Sequence, residues 1–86
     1  MASPFGYEPV LSGAAAHYLA MLPRSKQRQG ISLMYQLAQN PSQAGDYSVT
    51  DDSGRVLQNL MVGDWHFTFW ADHFSKEMRI VDVEYL

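Results

Sequence analysis

The sequence predicts an α+β domain in which an N-terminal extended segment and two antiparallel helices pack on a four-stranded antiparallel sheet. Two patterns and one turn predict it. Through the first half, apolar residues recur at helical spacing, and each run is bounded by a capping residue and a proline. From Tyr47 onward the period changes to two, with turn-forming breaks between the runs. One break, Gly63-Asp64, has glycine in the first central position, which suits a two-residue type II′ hairpin turn and hence an antiparallel sheet.

Phe5 to Leu11 alternates weakly and contains Gly6 and Pro9, which suits an edge strand or an extended arm. Ser12 is positioned to cap a helix over Gly13 to Leu22, where Ala15, Tyr18, Leu19 and Leu22 share one face, and Pro23 ends it. Ser25 offers a second cap. Ile31, Met34, Tyr35 and Ala38 then mark the apolar stripe of a helix that stops at Asn40-Pro41. Gly30 within it is expected to cost roughly 1 kcal/mol against alanine, with close helix packing as the expected reason.

Four strands follow, Tyr47 to Asp51, Arg55 to Val62, Trp65 to Asp72 and Lys76 to Tyr85, broken at Asp52-Ser53-Gly54, Gly63-Asp64 and His73-Phe74-Ser75. The Gly63-Asp64 turn sets a register that pairs Val62 with Trp65, Leu60 with Phe67, Gln58 with Phe69 and Val56 with Ala71. This mostly apolar face is expected to meet the helices. The opposite face then carries Leu57, Asn59 and Met61 beside His66, Thr68, Trp70 and Asp72. Placing Val81 and Val83 on the core side, opposite Phe67 and Trp65, sets His66 opposite Asp82 and Trp70 opposite Met78. Arg79 then falls on the core face near Phe69 and has to snorkel to the edge or find an acid such as Glu8.

Composition narrows the class of protein. Eighty-six residues suit one domain, spanning 1–86, and 47% apolar content with two Trp, five Tyr and four Phe allows a packed core without covalent staples. The absence of cysteine excludes a disulfide framework, a thiolate metal site and a cysteine nucleophile. No apolar run approaches the roughly 18 residues of a membrane span, and Met1 to Phe5 lacks the regions of a signal peptide, so the expected location is the cytoplasm. His17, His66 and His73 show no zinc-like spacing, and neither metal nor cofactor is expected. Six Lys and Arg stand against nine Asp and Glu, for a net charge of −3 that opposes non-specific attraction to nucleic acid. Arg24, Lys26 and Arg28 cluster at what reads as a solvated helix start.

A sequence resemblance runs through the same elements. Leu22-Pro23-Arg24 onward to Leu37-Ala38-Gln39-Asn40-Pro41 is followed by Gly45-Asp46, Asp52-Ser53-Gly54-Arg55, Val62-Gly63-Asp64-Trp65, Phe69-Trp70-Ala71-Asp72 and Lys76-Glu77-Met78-Arg79-Ile80-Val81. In order and spacing this resembles the RelE/ParE toxin family from about Ser12 onward. The resemblance implies a toxin paired with an acidic antitoxin, acting either by cleaving messenger RNA in the ribosomal A site or by inhibiting DNA gyrase. Fold likeness does not choose between the two. A catalytically degenerate protein serving only as an interaction domain is the alternative.

Metal-independent RNA cleavage needs a base for the 2′-hydroxyl, positive charge at the phosphate and an acid for the leaving oxygen. His66 stands where the family pattern has arginine, and Met61 where another basic residue is common. Beyond the last strand the pattern places an arginine and then a tyrosine, and no such pair follows Tyr85. The residual site is therefore His66 as base or acid oriented by Asp82, with Arg55 and Lys76 near the phosphates, Trp70 stacking a base and Arg79 a further RNA-binding residue. The bland alternative makes His66 and Asp82 a surface pair and packs Trp70 on Met78. Leu57, Met61 and Trp70 are the expected partner-binding residues.

Overall fold

The computed structural model describes residues 6–86, so Phe5, the first residue of the expected extended segment, lies outside the described residues. The elements run β1 (Glu8–Leu11), α1 (Gly13–Ala20), α2 (Arg24–Ala38), β2 (Tyr47–Thr50), β3 (Val56–Val62), β4 (Trp65–Asp72) and β5 (Glu77–Tyr85). All five strands form one sheet in the order β1-β5-β4-β3-β2. The extended segment is thus a strand of the sheet. It lies parallel to β5, with Glu8 opposite Glu77 and Leu11 opposite Ile80, and makes the sheet five-stranded and mixed rather than four-stranded and antiparallel. A parallel neighbour needs a long connection, and here the helices and three strands supply it.

Ser12 caps α1 as expected, its hydroxyl accepting from the Ala15 N–H at 3.0 Å while donating to the Val81 carbonyl at 2.8 Å. Ser25 does not cap α2. Pro23 occupies that position with φ −55°, and Ser25 lies within the first turn. The Gln27 side chain instead ties the two helices, its amide donating to the Leu22 and Ala20 carbonyls at 2.9 and 3.3 Å. The buried stripe of α2 is Gly30, Met34, Leu37 and Ala38, rotated from the expected one, and Ile31 is left 45% exposed.

The helices cover one face of the sheet. Ala15, Leu19, Met34, Leu37 and Ala38 meet Trp65, Phe67, Phe69, Met78, Ile80 and Val83 in a single core. Each of the larger side chains contributes about 1.5–3 kcal/mol by leaving water. The expected β3–β4 pairs Val62–Trp65, Leu60–Phe67 and Gln58–Phe69 are all present; the ladder stops there, short of Val56–Ala71. Gly63 has φ +60° and Asp64 does not have a positive φ, which is the sign pattern of a type II′ turn.

The β4–β5 register differs from the expected one. Asp72 pairs with Glu77, so the connection holds four residues, and Lys76 closes it in the left-handed region at φ +57° instead of beginning the strand. A bulge follows, because Thr68 pairs with Asp82 but Phe69 with Ile80, leaving Val81 as the extra residue. Together these changes move His66 opposite Glu84 and Trp70 opposite Arg79. The bulge also reverses the alternation below it, so Met78 and Ile80 are buried while Arg79 shares the open face with Trp70. There Arg79 pairs with Glu77 at 2.8 Å and Asp72 at 3.7 Å, not with Glu8.

Among the described residues, no helix is long and apolar enough to cross a membrane.

Candidate functional site

The face of the sheet that the helices leave uncovered carries two groups of polar side chains. The upper group centres on Asn59, a buried polar residue on β3. Its Oδ1 accepts from the Thr68 hydroxyl at 2.8 Å and lies 3.0 Å from His66 Nε2. The Tyr47 hydroxyl lies 3.4 Å from the same Nε2. The segment leading into β2 closes over this group. The Asp46 N–H donates to the Asn59 carbonyl at 2.7 Å, and the Met61 N–H donates to Asp46 Oδ2 at 2.8 Å. A Cβ on Gly45 would fall 2.3 Å from the Asn59 carbonyl oxygen, a backbone atom that cannot give way, so glycine is needed there.

The lower group is built on two turns. Asp51 Oδ1 accepts from the Ser53 hydroxyl at 2.6 Å and from the Ser53 and Arg55 N–H groups at 2.9 Å. The Ser53 hydroxyl and then the Arg55 N–H hold the Asp51 carboxyl below the usual carboxylate range. This turn delivers Arg55 onto Trp70, its guanidinium carbon 3.9 Å from the ring centroid, a cation–π contact. The Arg79 guanidinium approaches the same ring at 6.0 Å. Arg79 is engaged by two carboxylates, whereas Arg55 forms no salt bridge among the described residues and only its charge is felt by Asp51.

The second turn, between β4 and β5, is held by Asp72, which hydrogen bonding from Ser75 keeps below the usual carboxylate range. It presents His73, whose Nδ1 lies 2.8 Å from the Tyr7 hydroxyl with the two rings edge to face. On the helix side of the sheet a cleft of about 430 Å³ is lined by Val56, Gln58, Phe69 and Ala71, by Pro41, Ser42 and Gln43 from the loop after α2, and at its border by Arg55, Trp70 and His73. A second hollow of about 260 Å³ shares Arg55 and Trp70 and adds Arg79.

Of the residues singled out in the sequence, Arg55, Trp70 and Arg79 come together. His66 and Asp82 do not. The two-residue shift in register puts Asp82 opposite Thr68, and its carboxylate accepts from the adjoining Val83 N–H at 3.0 Å. Lys76 stands apart at the end of the turn, its ammonium 5.8 Å from the Tyr7 ring. Trp70 packs under Arg55 and not on Met78, which is buried on the other face. Met61 is 40% exposed, Tyr47 and Val49 half exposed, and Leu57 partly covered. Sequence reasoning passed over His73, Tyr7, Asn59 and Tyr47. Tyr7 and His73 are 66 residues apart, and no local pattern joins them. Asn59 carried a signal in its alternation, which sets it beside His66 and Thr68. Among the described residues, no three His, Asp or Glu side chains converge as a metal site.

No family model matches this chain, and no curated protein matches it either. Solved structures do. A chain of the toxin–antitoxin complex RelBE2 from Mycobacterium tuberculosis superposes with a TM-score of 0.77 at 15% identity, over 94% of this chain and 99% of that one. The fold is that of RelE. The archaeal RelE–RelB complex from Pyrococcus horikoshii gives a TM-score of 0.68 at 14% identity, covering 93% and 94% of the two chains. The intact Escherichia coli RelBE complex gives 0.60 at 9% identity, over 93% and 96%. The RelE fold accounts for the mixed five-stranded sheet with two helices on one face, and so for which side chains reach the open face.

Proposed function

We propose that this chain is the toxin of a toxin–antitoxin pair, cutting messenger RNA in the cytoplasm and neutralised by a protein antitoxin. The observation that carries the reading is the RelE fold, shared over nearly the whole chain with structures that are toxin–antitoxin complexes. Among the activities on this scaffold, RNA cleavage is favoured over gyrase binding by the Arg55–Trp70 stack. An aromatic ring suits an unpaired base, and a guanidinium held in no salt bridge among the described residues suits a phosphate. RNA contacts are assigned to Arg55, Trp70 and Arg79, with Lys76 at the rim. The ribosome supplies the RNA in this reading, which answers the objection from a net charge of −3. The antitoxin covers the open sheet face around Leu57, Met61 and Trp70.

A second reading, binding without cleavage, is favoured by the exposed apolar side chains of Tyr47, Val49 and Met61 at the β2 edge, which suit a protein partner. Expressing the chain alone in a bacterium tests both readings. The first expects growth arrest, relief when the neighbouring small open reading frame is co-expressed, and new messenger ends with DNA supercoiling unchanged. Good soluble expression without arrest would sink the toxin reading and leave the second.

A further inference from the structure

We infer that the free edge of β2 takes an extended, basic segment of another protein as a further strand of the sheet. The inference does not depend on whether the chain cuts RNA. It begins from a difference between the two edges of the sheet. β1 and β2 are the outer strands, and an outer strand leaves the N–H and C=O of every second residue facing outward.

The β1 edge is blunted. Glu8 and Ser12 donate their N–H groups to the Lys76 and Ile80 carbonyls at 3.1 and 2.9 Å, so the alternate residues Tyr7, Pro9 and Leu11 face outward. Pro9 has no N–H to offer, and that of Tyr7 is taken by the Ala38 carbonyl at 2.7 Å. Of the three, only Leu11 keeps a donor for a new strand.

The β2 edge is open. Its hairpin with β3 closes where the Asp51 N–H donates to the Arg55 carbonyl at 2.9 Å, and hydrogen-bonded pairs alternate along the ladder from there. Val49 and Tyr47 therefore turn their backbone groups toward Leu57 and Asn59, while Ser48 and Thr50 turn theirs outward. Between Tyr47 and Thr50 no proline or lysine wards off a partner, and all of these residues are exposed. Tyr47 and Val49 lie on the open face beside Leu57 and Met61. An added strand with apolar residues at alternate positions would extend that apolar strip while its backbone meets Ser48 and Thr50.

Charge selects the occupant. Asp46 stands at one end of β2, its carboxylate held by the Met61 N–H at 2.8 Å, and Asp51 and Asp52 stand at the other. The same residues oppose a second copy of this chain. When Ser48 exchanges bonds with Thr50 of a second copy, Asp46 falls opposite Asp52 and Tyr47 opposite Asp51, which sets like charges against each other. A segment with Lys or Arg on both sides of its apolar residues meets the acidic ends instead, and an acidic segment is repelled by them.

The test uses the full chain labelled with nitrogen-15 and synthetic peptides of alternating valine and threonine, flanked at both ends by lysine pairs or by glutamate pairs. In the free protein the Ser48 and Thr50 amides are expected to exchange readily with water. The lysine-flanked peptide is expected to shift and protect them and to leave β1 unmoved. It is expected to bind about tenfold more tightly than the glutamate-flanked one, the sum of several exposed charge pairs. That preference is expected to shrink with added salt and in the double variant Asp46→Asn, Asp52→Asn. Ser48→Pro and Thr50→Pro are each expected to weaken binding about tenfold, in the range of one lost hydrogen bond whose acceptor is left unmet. Proline is tolerated where an edge N–H faces solvent, and thermal melts check the fold. Methylating alternate amides of the peptide is expected to give the same loss in one of the two phases, with the protein untouched. Equal or tighter binding of the glutamate-flanked peptide overturns the inference. So does a free protein that is a dimer with Ser48 and Thr50 already protected, or amides that stay unshifted in millimolar lysine-flanked peptide. None of these results bears on the toxin reading, which growth arrest decides.

Discussion

The Trp65 indole lies over the bare Cα of Gly30, so close that a methyl group there would stand 2.7 Å from Cη2 and 2.9 Å from Cζ3. Trp65 is 2% exposed and stacks on Phe67 with ring planes 6° apart, so the indole has nowhere to retreat. Gly30 is thus a packing residue between α2 and the sheet, which explains a glycine in mid-helix.

Gly30→Ala is expected to destabilise the protein. The helix gains roughly 1 kcal/mol of propensity, but overpacking a filled core takes about 1–3 kcal/mol, more where no rotamer escape exists. Urea denaturation reads the net loss. Trp65→Phe in the same chain is expected to make Gly30→Ala neutral or stabilising, a coupling that a double-mutant cycle measures.

Asn59→Ala is expected to lower the unfolding free energy by about 1–3 kcal/mol, because it removes the acceptor shared by Thr68 and His66 beneath the Tyr47 ring. His66→Ala leaves Asn59 bonded to Thr68 and is expected to lower stability by only about 0.5–1.5 kcal/mol. Growth arrest per amount of soluble protein is expected to stay unchanged in His66→Ala. Loss of arrest at wild-type stability would return His66 to the chemistry.

The two carboxyls that organise the turns make stability depend on pH on the acid side. Asp51 and Asp72 are both held below their ordinary values in the folded protein. Their stabilisation is therefore complete above the unfolded value, near pH 4, and is lost as pH falls through the lower folded value. Melting temperatures followed from pH 5.5 down to pH 2.5 are expected to drop, and Asp51→Asn and Asp72→Asn to flatten the drop. An unchanged acid limb in the double variant would mean that the turns do not carry it.

Trp70→Ala is expected to weaken RNA engagement by about 1–3 kcal/mol, the range for one stacked base, and so to raise the induction level needed for growth arrest. Asp82→Ala is expected to leave that level where it was, because among the described residues its carboxylate meets only its own neighbour's N–H. Reversal of these two results would restore the residue pair read from the sequence.

Much of this architecture was legible in the chain. Gly63-Asp64 and the alternation around it set β3 against β4 residue by residue, since a two-residue turn leaves one register. The β4–β5 register was not legible. Neither the four-residue connection ending at left-handed Lys76 nor the bulge at Val81 has a local signature, and each moves the pairing by one residue. The strand at Glu8–Leu11 was visible as extended, but its partner lies about seventy residues away, beyond the reach of local pattern. Arg55, Trp70 and Arg79 were found through the resemblance. The Tyr7–His73 contact was not, because its two partners lie 66 residues apart.

The parallel pairing of β1 with β5 bears on how the chain is made. Of the five strands, β1 is translated first and β5, which must hold it, last. Until β5 emerges, Glu8 to Leu11 have no strand to pair with and Ser12 has no Val81 carbonyl to hold. Contacts of such sequence separation form slowly and late. A chain halted before Glu77 therefore lacks the β1–β5 pairing, and with it the Arg79 side of the hollow beside Trp70.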